Sequence, residues 1–332
     1  LPLVHAPARR RRALTLAGRL REAGVLGLNR RNSVFTMRWN PRRFYPRVDD
    51  KLETKRLLRD AGIPTARVLA VARVHSEVRK MLAELDAYPS FVLKPAHGAM
   101  GNGILVVLER DGEWYRRPGG KWIDRRALFY HSASIISGAY ALGGQPDVAF
   151  AEERLEVHPE LVAITSEGVP DVRVVVYRGV PVMSMTRLPT QRSRGRANLH
   201  QGAVGAGIEI DTGRTNHAVL DGKPVPVHPD TQEPVIGREI PSWSRALEIA
   251  VRASDQTGLG YVGADVVIDA NHGPLILELN ARPGLAIQVA NRMGLLPRLE
   301  AVDARVRPDM AWPERIALGA EIAREAREGR KS

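Results

Sequence analysis

Apolar residues along this chain follow two rhythms. Val78, Met81, Leu82 and Leu85 recur at helical spacing, as do Trp243, Ala246, Leu247 and Ala250, and each set predicts a helix with one buried face. Ser76 and Ser242 are the expected N-caps, and Gly258 closes the second helix. Asp49 and Asp50 predict the start of another helix over residues 51–61, stopped by Gly62 and Pro64. Short apolar runs between turn residues predict strands at 68–74, 91–94, 103–108, 148–153, 173–177 and 182–188. Two further strands, within 262–280, join at a turn of Asn271, His272 and Gly273. Residues 1–30 read as a basic helix with Leu14, Leu16, Leu20 and Val25 as packing positions. Residues 109–146 are turn-rich around a helix near 124–141. A loop is expected at 189–204, a polar segment at 211–239, a helix near 285–293 and an amphipathic helix from Pro313. Strands and helices intermix, with no internal repeat and no low-complexity tract.

The 332 residues suffice for two or three domains. No apolar run approaches the ~20 residues that span a bilayer. The basic run Arg9 to Arg12 is followed by only a short mixed stretch, so no secretory pattern is expected; because the chain starts at Leu1 rather than Met, a few earlier residues are expected to be missing. The absence of cysteine excludes disulfides and thiol chemistry and fits a cytoplasmic location. A net charge of +12 favours anionic partners, but aromatics make up only 5% of the chain. Nucleic-acid binding wants basic residues interleaved with aromatic ones, so it is not the expectation here.

The strand pair within 262–280 carries the most chemistry. Asp265, Glu278 and Asn280 are oxygen-bearing side chains in otherwise apolar strands. Glu278 and Asn280 are two apart and share a face, and antiparallel pairing can bring Asp265 beside them. Such a hard-oxygen set suits Mg2+, with Mn2+ as its substitute. A solvated edge hairpin is the plainer alternative, disfavoured by Leu275, Ile276, Leu277 and Leu279. Upstream, Lys94 ends a strand that leads into a loop with Gly98, Gly101 and Gly103, and a second strand follows. Glycines let backbone N–H groups approach a phosphate, and the lysine adds charge to the same anion. The glycine spacing matches neither the Walker pattern nor the dinucleotide fingerprint.

These features resemble the ATP-grasp carboxylate–amine ligases, in particular the ribosomal-protein glutamate ligase branch and its alpha-L-glutamate ligase-like relatives. The likeness also runs through Leu28-Asn-Arg-Arg-Asn, Asn40-Pro-Arg, Tyr45-Pro-Arg-Val-Asp-Asp-Lys, Ala197-Asn-Leu-His-Gln and Leu277-Glu-Leu-Asn-Ala-Arg-Pro-Gly. The resemblance implies an α/β (α+β) ATP-grasp fold: an N-terminal domain at 1–70, a lid subdomain with the glycine loop at 71–150 and a C-terminal core with the Mg2+ site at 151–332. ATP would lie between the last two.

By the same resemblance, Lys94, His97, Gly98, Gly101 and Gly103 face the nucleotide phosphates, and Glu152 and Glu153 form the hinge at adenine. Asp171 and Arg173 form an Asp-x-Arg pair near the ribose and the transferred phosphate. Arg196 and Asn198 reach the triphosphate and the reacting carboxylate, Asp265, Glu278 and Asn280 are the metal ligands, and His200 reads as structural. The implied reaction is ATP-dependent amide formation through an acyl phosphate. The amine would come from an amino acid, with L-glutamate the candidate. The acceptor would be an acidic peptide, a protein or a small-molecule carboxylate. Ala197 and Arg282 depart from the ribosomal-protein ligases on the acceptor side. The alternatives are a small-molecule peptide synthetase and a non-catalytic nucleotide-binding regulator.

Overall fold

The computed structural model describes residues 15–98 and 101–329. Leu14 and Arg9 to Arg12 therefore lie outside the described residues, as do Ala99 and Met100 of the glycine loop. The expected N-terminal helix is short, Leu16–Glu22, and does not pack as anticipated: Leu16 is 72% and Leu20 46% exposed, while Leu26 is buried instead.

The helix Lys51–Asp60 begins as its sequence dictates, with the Asp50 carboxylate accepting the N–H groups of Leu52 and Glu53. The next segment is the one expected to act as a lid, and it is called the lid below. Its strands are β1 (Val68–Ala72), β2 (Phe91–Pro95), β3 (Leu105–Val107), β4 (Glu109–Asp111), β5 (Trp114–Arg116), β6 (Trp122–Asp124) and β7 (Ala149–Glu152). Four of them make an antiparallel sheet in the order β1-β7-β2-β3, and β4-β5-β6 make a small second sheet. Helices Val78–Glu84 and Arg125–Ile136 cover the lid core. Ser76 does not cap the first of these; it lies in a single 3-10 turn, His75–Glu77, that leads into the helix.

The remainder is built on seven antiparallel strands: β8 (Asp171–Tyr177), β9 (Val180–Leu188), β10 (Val204–Ile208), β11 (Thr215–Leu220), β12 (Lys223–Pro224), β13 (Tyr261–Asp269) and β14 (Gly273–Asn280). Their order is β12-β11-β10-β9-β8-β13-β14. The segment expected to be merely polar at 211–239 thus contains two strands, β11 and the edge strand β12. Helix Trp243–Thr257 packs on one face of this sheet, over Val172, Val174, Val262, Ala264 and Val266. Ser242 occupies its N-cap position, as expected, but stands in the left-handed region and its side chain makes no capping bond. The other face is divided. At one end Val175, Tyr177, Met183 and Tyr261 meet helix Leu296–Arg305, which was not anticipated, and the C-terminal helix Trp312–Glu328. At the other end the same strand positions, by alternation, carry charge. The helix expected near 285–293 is a single turn, Ile287–Ala290.

The early segments act as braces. Asn40 Nδ2 donates to the carbonyls of Tyr261 (2.7 Å) and Ala281 (2.8 Å), and its Oδ1 accepts the Tyr261 N–H. The buried Arg31 donates to the Pro283 carbonyl at 2.9 Å. Each of these bonds satisfies a backbone group at the start of β13 or just beyond the end of β14, which fixes where the hairpin's polar side chains point.

Candidate active site

The hairpin register places Asp265 directly opposite Glu278 and Gly263 opposite Asn280. Opposed residues share a face, so the three polar side chains converge as their spacing predicted. A bulge in β14 at Leu277 breaks the alternation next to Glu278. Asp265 is wholly buried, and both of its oxygens are engaged. Arg173 donates to them at 2.7 and 2.6 Å, Arg187 at 2.8 Å, and Asn280 Nδ2 at 3.3 Å. Asn280 also donates to Glu278 Oε1 at 3.1 Å.

Asp171 and Arg173, expected together near the ribose and the transferred phosphate, each take a cross-strand partner rather than forming a salt bridge with one another. Asp171 lies opposite Arg187 on β9 and takes a two-pronged ion pair from it, while Arg173 lies opposite Asp265. The physical reason is distance: residues two apart on a strand are ~7 Å apart, whereas cross-strand partners are ~5 Å apart. Arg187 is the residue that sequence reasoning missed. The signal was available, since it is the single charge within the nine residues of β9, the same criterion that singled out Asp265. Burial pushes the Asp171 carboxyl above its usual range, with the Arg187 guanidinium opposing and the Asp265 charge adding to the rise. Burial would push Asp265 up as well, but Arg173 and Arg187 together hold it below its usual range. Counting Glu278, the cluster holds three carboxylates against two guanidinium groups.

The lid presents the opposite balance. Lys94, at the end of β2, and Glu152, at the end of β7, are both buried and form an ion pair; Lys55 reaches the other Glu152 oxygen at 2.9 Å. Burial raises the Glu152 carboxyl, but Lys94 and Lys55 outweigh it and leave the group below its usual range. Burial lowers Lys55 despite Glu152. Glu153, beside it, accepts the Arg67 N–H at 2.7 Å, and its own N–H donates to the Arg67 carbonyl. That link ties the end of the lid sheet to the chain entering it. Lys51 and Lys55, one turn apart on their helix, were also missed, because a lysine pair on a helix usually marks a solvated face.

Lid and core enclose one cavity of about 780 Å3, within the range of ligand pockets. His97 and Gly98 line it from the lid, and Arg173, Arg187, Asn198, Glu278 and Asn280 line it from the core. Lys51 lines it too, donating to the Gly98 carbonyl at 2.5 Å. The glycine loop turns as its composition requires. Gly103 has φ +77°, and a Cβ there would lie 2.7 Å from the Tyr140 ring. Gly101 has φ +75°, and a Cβ on it would sit 4.0 Å from the Arg196 side chain, so this flap meets the 189–203 loop. In that loop the exposed Arg196 donates to Gln201 at 3.4 Å, and Asn198 Oδ1 accepts the His200 N–H at 3.0 Å.

Glu278 and Asn280, side by side and facing the cavity, fit a divalent cation once the Asn280 amide presents its oxygen. Asp265 fits less directly, because its oxygens already carry guanidinium donors. Among the described residues no group of three or more His, Cys, Asp or Glu side chains is arranged to hold an ion. No helix among them is long and apolar enough to cross a membrane.

Residues 30–304 match the family described as sugar-transfer associated ATP-grasp. A probable alpha-L-glutamate ligase of Legionella pneumophila (strain Corby) is 25% identical over 264 residues, which cover 79% of this chain and 65% of the relative. A cyanophycin synthetase of Synechocystis is 26% identical over 281 residues, covering 80% of this chain and 30% of that enzyme. The chain thus spans less than two thirds of the length of either relative. Among solved structures, the ATP-grasp ligase PsnB complexed with a minimal precursor aligns over 80% of this chain and 62% of its own, with a TM-score of 0.43 and 20% identity. The D-alanine–D-alanine ligase of Bacillus anthracis complexed with ATP aligns over 86% and 70%, with a TM-score of 0.42 and 13% identity. The glutamate-ligase relatives agree with the branch that the sequence resembles. By the match over residues 30–304, this chain belongs to the sugar-transfer associated ATP-grasp family and has the mixed α/β ATP-grasp fold.

Proposed function

We propose that the protein is an ATP-dependent ligase that joins a carboxylate to an amine through an acyl phosphate, with L-glutamate as the candidate amine donor. One observation carries the reading: one cavity is lined by His97 and Gly98, where the glycine loop begins, on one wall and by Glu278, Asn280, Arg173 and Arg187 on the other. A nucleotide triphosphate with its cation asks for this combination, anion donors facing hard-oxygen acceptors.

The roles follow from charge. Lys94 and Lys51 bring positive charge from the lid side to the phosphates. Arg173 and Arg187, held flat against buried carboxylates, cannot swing away and are preorganised for charge that develops on phosphoryl transfer. Mg2+ or Mn2+ would be held by Glu278 and Asn280, with Asp265 behind them, and would supply neutralisation of phosphate charge. Asn198 and Arg196 stand where the acceptor carboxylate would enter, and the flap over them would exclude water from the acyl phosphate. Glu153 and the backbone beside it border the adenine side.

An acidic acceptor, whether peptide, protein or small molecule, suits a chain of net charge +12. The family's description adds carboxylates borne on saccharides to the acceptors worth testing. The test is ADP release, with mass spectrometry of the products, on ATP, labelled amino acids and a panel of acidic peptides and uronic-acid oligosaccharides. A product heavier by one amino-acid residue is expected, with acceptor use weakened by salt. ATP turnover with no such product from any acceptor would contradict the reading.

A further inference from the structure

We propose that His97 is the base that takes a proton from the incoming amine, and that Asp147 holds its ring for that task. This rests on the ligase reading above. His97 lines the cavity. Its Nδ1 lies 2.7 Å from Asp147 Oδ1, and its backbone N–H lies 3.1 Å from each oxygen of that carboxylate. The Asp147 side chain is fully buried, and its Oδ1 also accepts the Val148 N–H at 2.7 Å. A carboxylate fixed by two backbone N–H groups is an acceptor, so the ring hydrogen belongs on Nδ1 and Nε2 keeps its lone pair.

The other side of the ring faces Asp50. Nε2 stands 3.6 Å from Asp50 Oδ2, too far for a hydrogen bond, so no acceptor claims its lone pair. Asp50 Oδ1 is occupied by the N–H groups of Leu52 and Glu53, so Oδ2 is the oxygen left for His97. The neighbouring charges are Asp49 and Lys51, and Lys51 Nζ is committed to the Gly98 carbonyl. His200 also lines the cavity, but it is exposed, and no carboxylate orients its ring among the described residues.

An amino-acid amine is an ammonium at neutral pH and has no lone pair to attack with. One proton passes to His97 Nε2 and frees that pair. The C–N bond then forms as the C–O bond to phosphorus-bound oxygen breaks, and phosphate leaves with the electron pair. The second proton goes from nitrogen to the departing phosphate. The products are amide, hydrogen phosphate and an imidazolium that returns its proton to water.

The test supplies tetraglutamate, ATP and Mg2+ with either L-glutamate or hydroxylamine as nucleophile. Hydroxylamine is uncharged at neutral pH and needs no base. His97→Gln is expected to lower glutamate addition by about 100-fold, the usual size of a general-base effect, and to lower hydroxamate formation far less. Asp147→Asn should move the hydroxamate-to-amide ratio in the same direction by a smaller factor. An unchanged ratio, or a parallel fall in both products that added imidazole fails to reverse in His97→Gly, would overturn the role of His97 and leave the ligase reading standing. A wild-type protein that gives neither product with tetraglutamate or with any other acceptor of the panel above would overturn the ligase reading itself.

Discussion

The two buried charge clusters, one in the lid and one in the core, are built from the same pairing and end with opposite signs. At the lid, Lys94 and Lys55, the latter reaching in from the helix Lys51–Asp60, share Glu152, leaving one positive charge over. In the core, Arg173 and Arg187 face Asp171, Asp265 and Glu278, leaving one negative charge over. Each cluster alone could be explained as structural. Set on either side of one cavity, the surplus positive wall suits phosphate and the surplus negative wall suits the ion that accompanies it. They also differ in redundancy: Glu152 has two partners, whereas Asp171 depends on Arg187.

That difference in redundancy can be broken experimentally. Arg187→Met strips Asp171 of its partner and should cost about 3–5 kcal/mol in urea unfolding, the usual price of an orphaned buried charge. Lys55→Met leaves Glu152 with Lys94 and should cost distinctly less; equal costs would mean that the two clusters are not built differently. Lys94→Ala and Glu278→Ala test the functional half of the comparison. Each should lower ATP-dependent amide synthesis by about 100-fold or more, while circular dichroism shows the fold retained; normal turnover in either would remove the assignment.

Acid should weaken both clusters. Glu152 and Asp265 are held below the usual carboxylate range, so the folded state binds fewer protons there than the unfolded chain does. Their stabilisation is present above that range and lost as pH falls through their folded values. Asp171 is raised and runs the other way, its ionisation costing stability as pH rises through its folded value. Thermal melts should therefore show a loss on acidification that is shallower in the core cluster's Asp265→Asn variant. The smallest effect expected is for Asp50→Ala, which removes a helix cap outside both clusters and should cost about 1 kcal/mol.

Much of this arrangement was legible in the chain, and what was not has a physical reason. Asp265, Glu278 and Asn280 stood out because polar side chains are rare in apolar strands, and the short turn fixed their register. Arg187 was hidden because its partner is chosen by the pairing of β8 with β9, which no local spacing reveals. β11 was hidden because Thr215, Asn216 and His217 make it half polar. β4, β5 and β6 have only three residues each, too few to show alternation. Leu16 and Leu20 misled in the opposite sense, being apolar at a helical spacing yet exposed. Lys55 is buried only because Glu152 arrives from a strand almost a hundred residues downstream, so its helix alone carried no sign of it.

The most direct measurement is a crystal structure with a non-hydrolysable ATP analogue and Mn2+, with the ion located by its anomalous scattering. The account predicts a manganese peak at Glu278 and Asn280, with the analogue's phosphates between that ion and the Gly98–Gly103 flap, on the Lys94 side of the cavity. Manganese and phosphates bound away from this cavity, with the flap and the hairpin making no contact with the nucleotide, would contradict it.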